Sequence, residues 1–359
     1  MGMFTQKIID HGKGKIKNKN TETITPALTY PILKEMRKIN ITKTYKDQTC
    51  PLTSSNCCII KKPNNEYILS LRFINYYIDL VKGYISTPEK KYISMNQIVS
   101  LDNTFRIKPT NQKLFLYPSK DMKEIDYYQE NNKIKHLGVQ DIKLFYHSAS
   151  QSIKVICNVQ TLSGTVRVLV GDYDDTRQQF HHLQLIECAF HYQPMEKNWV
   201  YFENENQELL VVYQWYPFQI GKIDENTKTL ELVSEKIMPP FFQRARGSSC
   251  GILYKNEIWF LIHKKNKRIK HEKDFVYLHS FVVFDRNMNL KRYTEWFVIE
   301  GQSIEFCLGF CINEITKIHT NTDTGVDTQF ILSYSVFDVS SKIGIYNKKT
   351  IDELPWNIL

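Results

Sequence analysis

The chain has 359 residues, 42% hydrophobic and 13% aromatic, with 47 Lys and Arg against 38 Asp and Glu. This composition suffices for one large core or two modest ones and excludes disorder over most of the length. The formal charge of +9 is uneven: residues 1–62 hold 12 basic and 4 acidic side chains, which leaves only +1 for residues 63–359. Nucleic-acid binding is therefore not expected of the body, and any such affinity would rest on the basic front end.

Met1-Gly2-Met3-Phe4-Thr5-Gln6 leads straight into Lys7 and Asp10 without the apolar core of a signal peptide. No run of about 18 apolar residues exists, so a soluble, cytoplasmic or otherwise intracellular protein without a membrane span is expected. His11-Gly12-Lys13-Gly14-Lys15-Ile16-Lys17-Asn18-Lys19 offers little apolar surface and reads as a mobile segment, either a solvated tail or a polyanion-binding arm. Between Tyr30 and Ile39, Ile32, Leu33, Met36 and Ile39 fit one helical face, with Pro31 in the first turn. Residues 1–62 are thus expected to form a basic, partly helical extension, and residues 63–359 the folded domain. The eight cysteines follow no zinc or disulfide spacing; most are expected as buried thiols, Cys307 and Cys311 among them.

From residue 67 onward the apolar pattern is short and strand-like. Tyr67–Ile74, Ile153–Cys157, Val166–Val170, Leu209–Tyr213, Ile258–Ile262 and Phe330–Tyr334 are each bounded by Asn, Asp, Gly or Lys. Hairpin turns are expected at Asp172–Asp175, Asp224–Thr227 and Asp285–Asn289, where acidic and amide side chains cluster between such runs. This is an all-β pattern.

Polar clusters interrupt the strands at regular distances. Arg72 to Asp141 is 69 residues, Asp141 to Lys197 is 56, Lys197 to Arg246 is 49 and Arg246 to Glu305 is 59. A four-stranded propeller blade with its loops takes roughly 40 to 50 residues or more, so the spacing predicts a five-bladed β-propeller over residues 63–359. In such a fold the innermost strands line one channel, and one polar group from each blade reaches a common funnel. A β-sandwich would give short strands too, but not this recurrence.

Glu196-Lys197-Asn198-Trp199 places an acid, a base, an amide and an indole side by side, a set suited to a sugar. The order Gly138-Val139-Gln140-Asp141, then Glu196-Lys197-Asn198-Trp199, then Arg246-Gly247-Ser248-Ser249 ahead of His263, then Tyr277-Leu278-His279-Ser280-Phe281 resembles the five-bladed propeller superfamily of β-mannoside phosphorylases and related mannosyltransferases. The resemblance spans about residues 63 to 345. It implies transfer of a hexosyl group, mannose by analogy, with inversion between phosphate or an activated donor and a hydroxyl acceptor.

By that resemblance Asp141 matches the catalytic acid or base, and Lys197, Arg246, His263, Tyr277 and His279 match positions that face phosphate or the donor. Arg72, Asn75, Glu196, Asn198, Trp199 and Glu305 are the expected sugar contacts, with Trp199 equally suited to a core. Phosphate calls for several cationic or hydrogen-bonding groups at fixed angles, which the basic set provides. Lys264, Lys265, Lys267, Arg268 and Lys270 read as a solvated loop.

Two positions depart from the family pattern: Gln140 stands where an acid is usual, and Ile142-Lys143 where Pro-Arg is usual. Loss of the adjacent carboxylate would lower the pKa of Asp141, and Lys143 keeps a charge without the bidentate fork. These changes fit a different donor, a transferase or an inactive relative. Non-catalytic binding of a glycan or protein, and a furanosidase-type hydrolase, are the competing functions. No cofactor is expected, and no metal constellation is visible.

Overall fold

Short apolar runs punctuated by Asn, Asp and Gly favour strands, and the computed structural model is built almost wholly of them. It describes residues 31–46, 51–79, 83–86, 92–109, 113–118, 136–161, 163–267, 275–318 and 324–359. All of these fall within the unit Pro31–Leu359. The basic run His11–Lys19 lies outside the described residues.

In chain order, β1 (Arg37–Asn40), β2 (Thr44–Lys46), β3 (Pro51–Lys61) and β4 (Tyr67–Ile74) precede the hairpin of β5 (Tyr76–Asp79) and β6 (Gly83–Ser86). Then come β7 (Tyr92–Leu101) and β8 (His136–Leu137), giving a first sheet of order β2-β3-β4-β7-β8. Next, β9 (Gln140–His147), β10 (Ser152–Gln160), β11 (Val166–Asp174) and β12 (Gln179–Cys188) form one antiparallel meander. A second comprises β13 (Val200–Glu203), β14 (Leu209–Trp215), β15 (Phe218–Asp224) and β16 (Thr229–Lys236). Their outer strands pair in parallel at Glu187 with Thr229 and Cys188 with Leu230, fusing the two into an eight-stranded sheet.

The fourth set is β17 (Arg246–Gly247), β18 (Ile252–Tyr254), β19 (Glu257–Lys267), β20 (Phe275–Phe284) and β21 (Leu290–Thr294). The last is β22 (Glu305–Ile318), β23 (Thr324–Val336) and β24 (Ser340–Asn347), followed by α1 (Lys348–Asp352) and β25 (Trp356–Ile358). Both chain ends complete sheets: β1 pairs with β24, and β25 with β21. Among the described residues no helix is long and apolar enough to cross a membrane.

The helix expected over Tyr30–Ile39 is not formed. Ile32 bridges Val298 and Arg37–Asn40 is β1, so Leu33 is buried while Met36 is half exposed. A free edge on β24 supplies backbone partners that an isolated helix turn cannot match. Arg37–Asn40, Thr44–Lys46 and Pro51–Lys61, assigned by composition to the extension, form β1, β2 and β3 within the unit Pro31–Leu359.

Hairpins form at Asp224–Thr227 and Asp285–Asn289 as expected, whereas residues 172–174 still belong to β11 and that turn falls at residues 175–178. In each an aspartate accepts backbone N–H groups of its own turn. Asp174 takes Thr176 and Arg177, Asp224 takes Asn226 and Thr227, and Asp285 takes Asn287 and Asn289. Apolar clusters fill the spaces between neighbouring sheets. Leu69 and Phe73 of β4 meet Ile331 and Ile343; Ile142 and Val155 meet Ile68 and Leu308; Trp259 and Phe281 meet Phe330 and Leu332. Of the cysteines, Cys57, Cys58, Cys157, Cys250, Cys307 and Cys311 are buried free thiols and Cys188 is half-buried.

Candidate functional site

The strands that carry the expected site residues are irregular where those residues stand. On β9, Lys143 pairs with Ile156 and Gln140 with Asn158, so Asp141 and Ile142 share the position opposite Cys157. Such a bulge breaks the alternation and re-aims a side chain. Asp141 is also left-handed, at φ 55°, a state that costs of order 1 kcal/mol even for an aspartate. On β3 the register slips between Ser54 and Cys57, which sets Asn56 off the ladder.

These two bulges meet. Asn56 Nδ2 donates to Asp141 Oδ1 at 2.8 Å, and Asn56 Oδ1 accepts from Ser335 Oγ at 2.6 Å. Arg72, buried on β4, donates from Nη1 to the same Asp141 oxygen at 3.0 Å. Its remaining nitrogens are fixed by Ser94 Oγ at 3.0 and 2.9 Å and by the Tyr76 hydroxyl at 2.9 Å. An arginine in a fully buried strand needs such partners, and here they aim one edge of the fork at the carboxylate. Burial opposes ionisation of Asp141, but Arg72, then Lys143, the Asn56 hydrogen bond and Lys197 outweigh it and hold the carboxyl below its usual range.

A second carboxylate comes from the turn between β23 and β24. Asp338 is half-buried at φ 57°, with Ser335 Oγ at 3.4 Å from its Oδ1. Burial, joined by the charge of Asp141 and opposed by Arg72, lifts its carboxyl to about 6.

Cations also act on Asp141. Lys143 is buried on β9, and its charge reaches both Asp141 and His263. Lys197 is half-buried; burial and the nearby Arg246 lower its pKa, with Asp141 pulling the other way. His263 pairs with Arg246 across β17 and β19 and faces His279 across β19 and β20. Burial, His279, Arg246, Lys143 and Lys197 hold His263 well below its ordinary pKa, so it is a neutral imidazole at pH 7. Its Nδ1 lies 2.8 Å from Ser248 Oγ. His279, pushed down to about 3 by burial, accepts the Cys307 N–H on Nε2. The half-buried Tyr277 packs its ring against His263 and Phe306.

Lys197, Asn198 and Arg246 line a cleft of about 380 Å³ with Gln193, Met195, Gln214, Tyr216, Arg244 and Ala245. Gly247 is required beside it: a Cβ there would stand 2.5 Å from the Asn198 carbonyl and 2.7 Å from Val200 Cγ1. A larger cleft of about 780 Å³, lined by Lys62, Tyr146, Asp172, His181 and Glu225 among others, contains none of the expected site residues.

Several expected contacts are turned elsewhere. Asn198 at φ 65° reverses the chain, so Lys197 and Asn198 face the cleft while Glu196 and Trp199 are buried. The Trp199 indole donates to Glu196 at 3.2 Å and the Tyr213 hydroxyl donates to its other oxygen at 3.1 Å. At 1% exposure Trp199 has no face left for a sugar ring. Glu305 is fully buried and accepts the backbone N–H groups of Ile299, Glu300 and Gln302, which makes it the organiser of that loop. Asn75 accepts the N–H of Ile93 and is likewise buried. The hydroxyls of Ser248 and Ser249 are engaged internally, with His263 and the Leu261 N–H. Lys264, Lys265 and Lys267 belong to β19 rather than to a loop, and Lys264 lies 4.2 Å over the Trp296 ring. Arg268 and Lys270 lie outside the described residues.

Asn56, Asp338, Tyr76 and Arg244 escaped the sequence reading. Only Asn56 left a trace there: Ser54-Ser55-Asn56 is a polar triplet set against the apolar run Cys57–Ile60.

No protein-family model matches the chain, and a search of curated proteins gives no match. Solved structures do share its fold. One comes from work describing a GH130 family of mannoside phosphorylases that contains glycoside hydrolases targeting β-1,2 mannosidic linkages in Candida mannan. It is 11% identical with a TM-score of 0.58, over 91% of this chain and 96% of that one. A glycosyl hydrolase from Bacteroides ovatus is 10% identical with a TM-score of 0.57, over 91% and 96%. At such identities the likeness establishes a propeller-like, all-β fold.

Proposed function

We propose that this chain is a carbohydrate-active enzyme on a five-bladed propeller, transferring a hexosyl group, mannose by resemblance, with inversion between a phosphate-bearing donor and a hydroxyl acceptor. The five strand sets, two of them fused edge to edge, serve as the blades. Asp141 is the proton-handling group. The observation that carries this reading is an Asp141 carboxylate placed by two bulges, gripped by Arg72 and Asn56, and ringed by Lys143 and Lys197.

A depressed pKa keeps Asp141 ionised at neutral pH, which suits a general base. The acceptor hydroxyl gives its proton to Asp141 as its oxygen attacks the anomeric carbon, and the donor phosphate leaves with the bonding electrons from the opposite face. Lys197 and Arg246 offset the charge on the leaving group. Asn198 remains as a sugar-orienting residue and Arg72 acts through Asp141; Glu196, Trp199, Glu305 and Asn75 support the site from behind. The structures with the same fold whose descriptions name mannoside phosphorylases and glycosyl hydrolases support a sugar substrate.

The test is inorganic phosphate release from a panel of hexose 1-phosphates with sugar acceptors. Wild type is expected to release phosphate with at least one pair, and Asp141→Asn to lose about 10²-fold or more of the rate. A pair turned over equally by both proteins would remove Asp141 from the chemistry.

A further inference from the structure

The end of β9 away from Asp141 brings a hydroxyl, an imidazole and a carboxylate together. His147 stands six residues after Asp141 on that strand, roughly 20 Å along it at ~3.3 Å per residue. It is buried, with Nδ1 2.7 Å from Ser150 Oγ and Nε2 3.0 Å from the Gln207 carbonyl oxygen. A carbonyl only accepts, so Nε2 carries the hydrogen and, in the neutral imidazole, Nδ1 holds the lone pair. Ser150 Oγ then donates to Nδ1, and Ser152 Oγ, 2.8 Å away, donates to Ser150 in turn. The hydroxyl proton of an exposed serine is thus aimed at a base whose tautomer is fixed by the backbone.

The carboxylate comes from the next strand set. Glu203 of β13 has Oε2 3.9 Å from His147 Nε2, and it accepts the Ser148 N–H at 2.9 Å and the Ser148 hydroxyl. It therefore clamps the turn that presents Ser150 and sets a negative charge beside the ring nitrogen that faces away from it. The Gln207 carbonyl is held by the turn at residues 204–208, in which Asn204 Oδ1 accepts the N–H groups of Asn206 and Glu208, each at 2.9 Å. Among the described residues no hydrogen bond engages the N–H of Ala149 or Ser150, which leaves two adjacent donors beside the hydroxyl, as an oxyanion requires. Ser150 also lines the cleft of about 780 Å³ with Tyr146, Lys154 and His181, a volume within the ~300–1,000 Å³ of small-molecule sites.

We infer that Ser150, His147 and Glu203 form a second site, separate from Asp141, that hydrolyses a carboxylic ester held in this cleft. Ser150 Oγ bonds to the ester carbonyl carbon as its proton passes to His147 Nδ1, and the N–H groups of Ala149 and Ser150 hold the oxyanion. The carbon–oxygen bond to the alcohol then breaks, and the alcohol leaves with the proton from Nδ1. Water repeats the sequence on the acyl-serine: it gives a proton to Nδ1, bonds to the acyl carbon and releases a carboxylic acid as the proton returns to Ser150. The two ring nitrogens exchange the roles they have in serine proteases, and such a set is defined by geometry and role rather than by chain order. The polar lining from Tyr146, Lys154 and His181 suits the ester of a hydroxylated alcohol.

The test treats the full chain with a fluorophosphonate probe, maps the adduct by peptide mass spectrometry and follows p-nitrophenyl acetate hydrolysis in parallel. Wild type is expected to take one phosphonyl group, on Ser150, and to lose hydrolysis as it does so. Ser150→Ala, a change on an exposed turn, should take none and hydrolyse about 10²-fold or more slowly. His147→Gln keeps a donor for the Gln207 carbonyl without a base and should behave alike, and Glu203→Gln should slow both reactions about tenfold or more. An unlabelled wild type, a label on another residue, or Ser150 labelled as fast in His147→Gln as in wild type would each overturn the site. Asp141→Asn should label at the wild-type rate, so failure of the transfer reading and failure of this one are told apart.

Discussion

At the scale of single residues, the two acids Asp141 and Asp338 show how environment divides one chemistry into two states. Arg72 serves both, yet Asp141 also receives Asn56, Lys143 and Lys197, while Asp338 has mainly burial and the charge of Asp141. The first is held below the ordinary carboxylate range and the second raised to about 6. A carboxyl whose pKa is raised by folding binds its proton more tightly when folded, so it costs stability once pH passes the unfolded value, in full above the folded one. Asp338→Asn is therefore expected to gain on wild type between about pH 4 and pH 7, by up to roughly 3 kcal/mol from a shift of about two units. Urea unfolding of both proteins at the two pH values checks this, and a gap that does not change with pH would refute the raised pKa. In assays, the same variant should flatten the acid limb of any pH–rate profile near 6 without removing activity.

At the scale of elements, bulges and close approaches decide what the strands present. The shift between Cys307 and Gly309 on β22 sets Gly309 against β3, where an added Cβ would overlap Ile59 N and Ser333 Oγ and lie 2.7 Å from Cys58 Cα. Ser333 Oγ is itself fixed between the Ile59 N–H and the Cys57 carbonyl, both at 2.9 Å, so it has no room to yield. Gly309→Ala should therefore cost about 2–4 kcal/mol, through overpacking and loss of this bridge. Because β3 carries Asn56, activity should fall along with stability; a variant of unchanged denaturation midpoint would show that the two strands are not tightly coupled here.

At the scale of the whole molecule, the chain ends fasten the sheets. β1 is the outermost strand of a sheet otherwise made by β22, β23 and β24, and Leu33 and Ile41 are buried around it. Removal of residues 1–43 would strip the β24 edge and expose both side chains' pockets, at about 1.5–3 kcal/mol for each. A loss of roughly 3–6 kcal/mol is expected in urea unfolding; an unchanged midpoint would mean that β1 contributes nothing to closure.

Much of this molecule was legible in its sequence. Short apolar runs between Asp, Asn and Gly determined the strands and two of the three expected hairpin turns, the third being displaced to residues 175–178, since those signals act within a few residues of the chain. Arg72 stood out because a charged side chain in an apolar run must have a reason, whereas Asp141, Lys197, Arg246 and His263 were singled out by the order of motifs that resembles the propeller superfamily. Tertiary structure alone decided which of them meet. It put Asn56 and Asp338 beside Asp141 from positions 85 and 197 residues away, turned Trp199 and Glu196 inward at Asn198, and drew Arg37–Asn40, Thr44–Lys46 and Pro51–Lys61 into the sheets. Local pattern records the period of a strand, but bulges, edge pairing and the field of distant charges depend on partners brought in by the fold, and a linear sequence does not carry those distances.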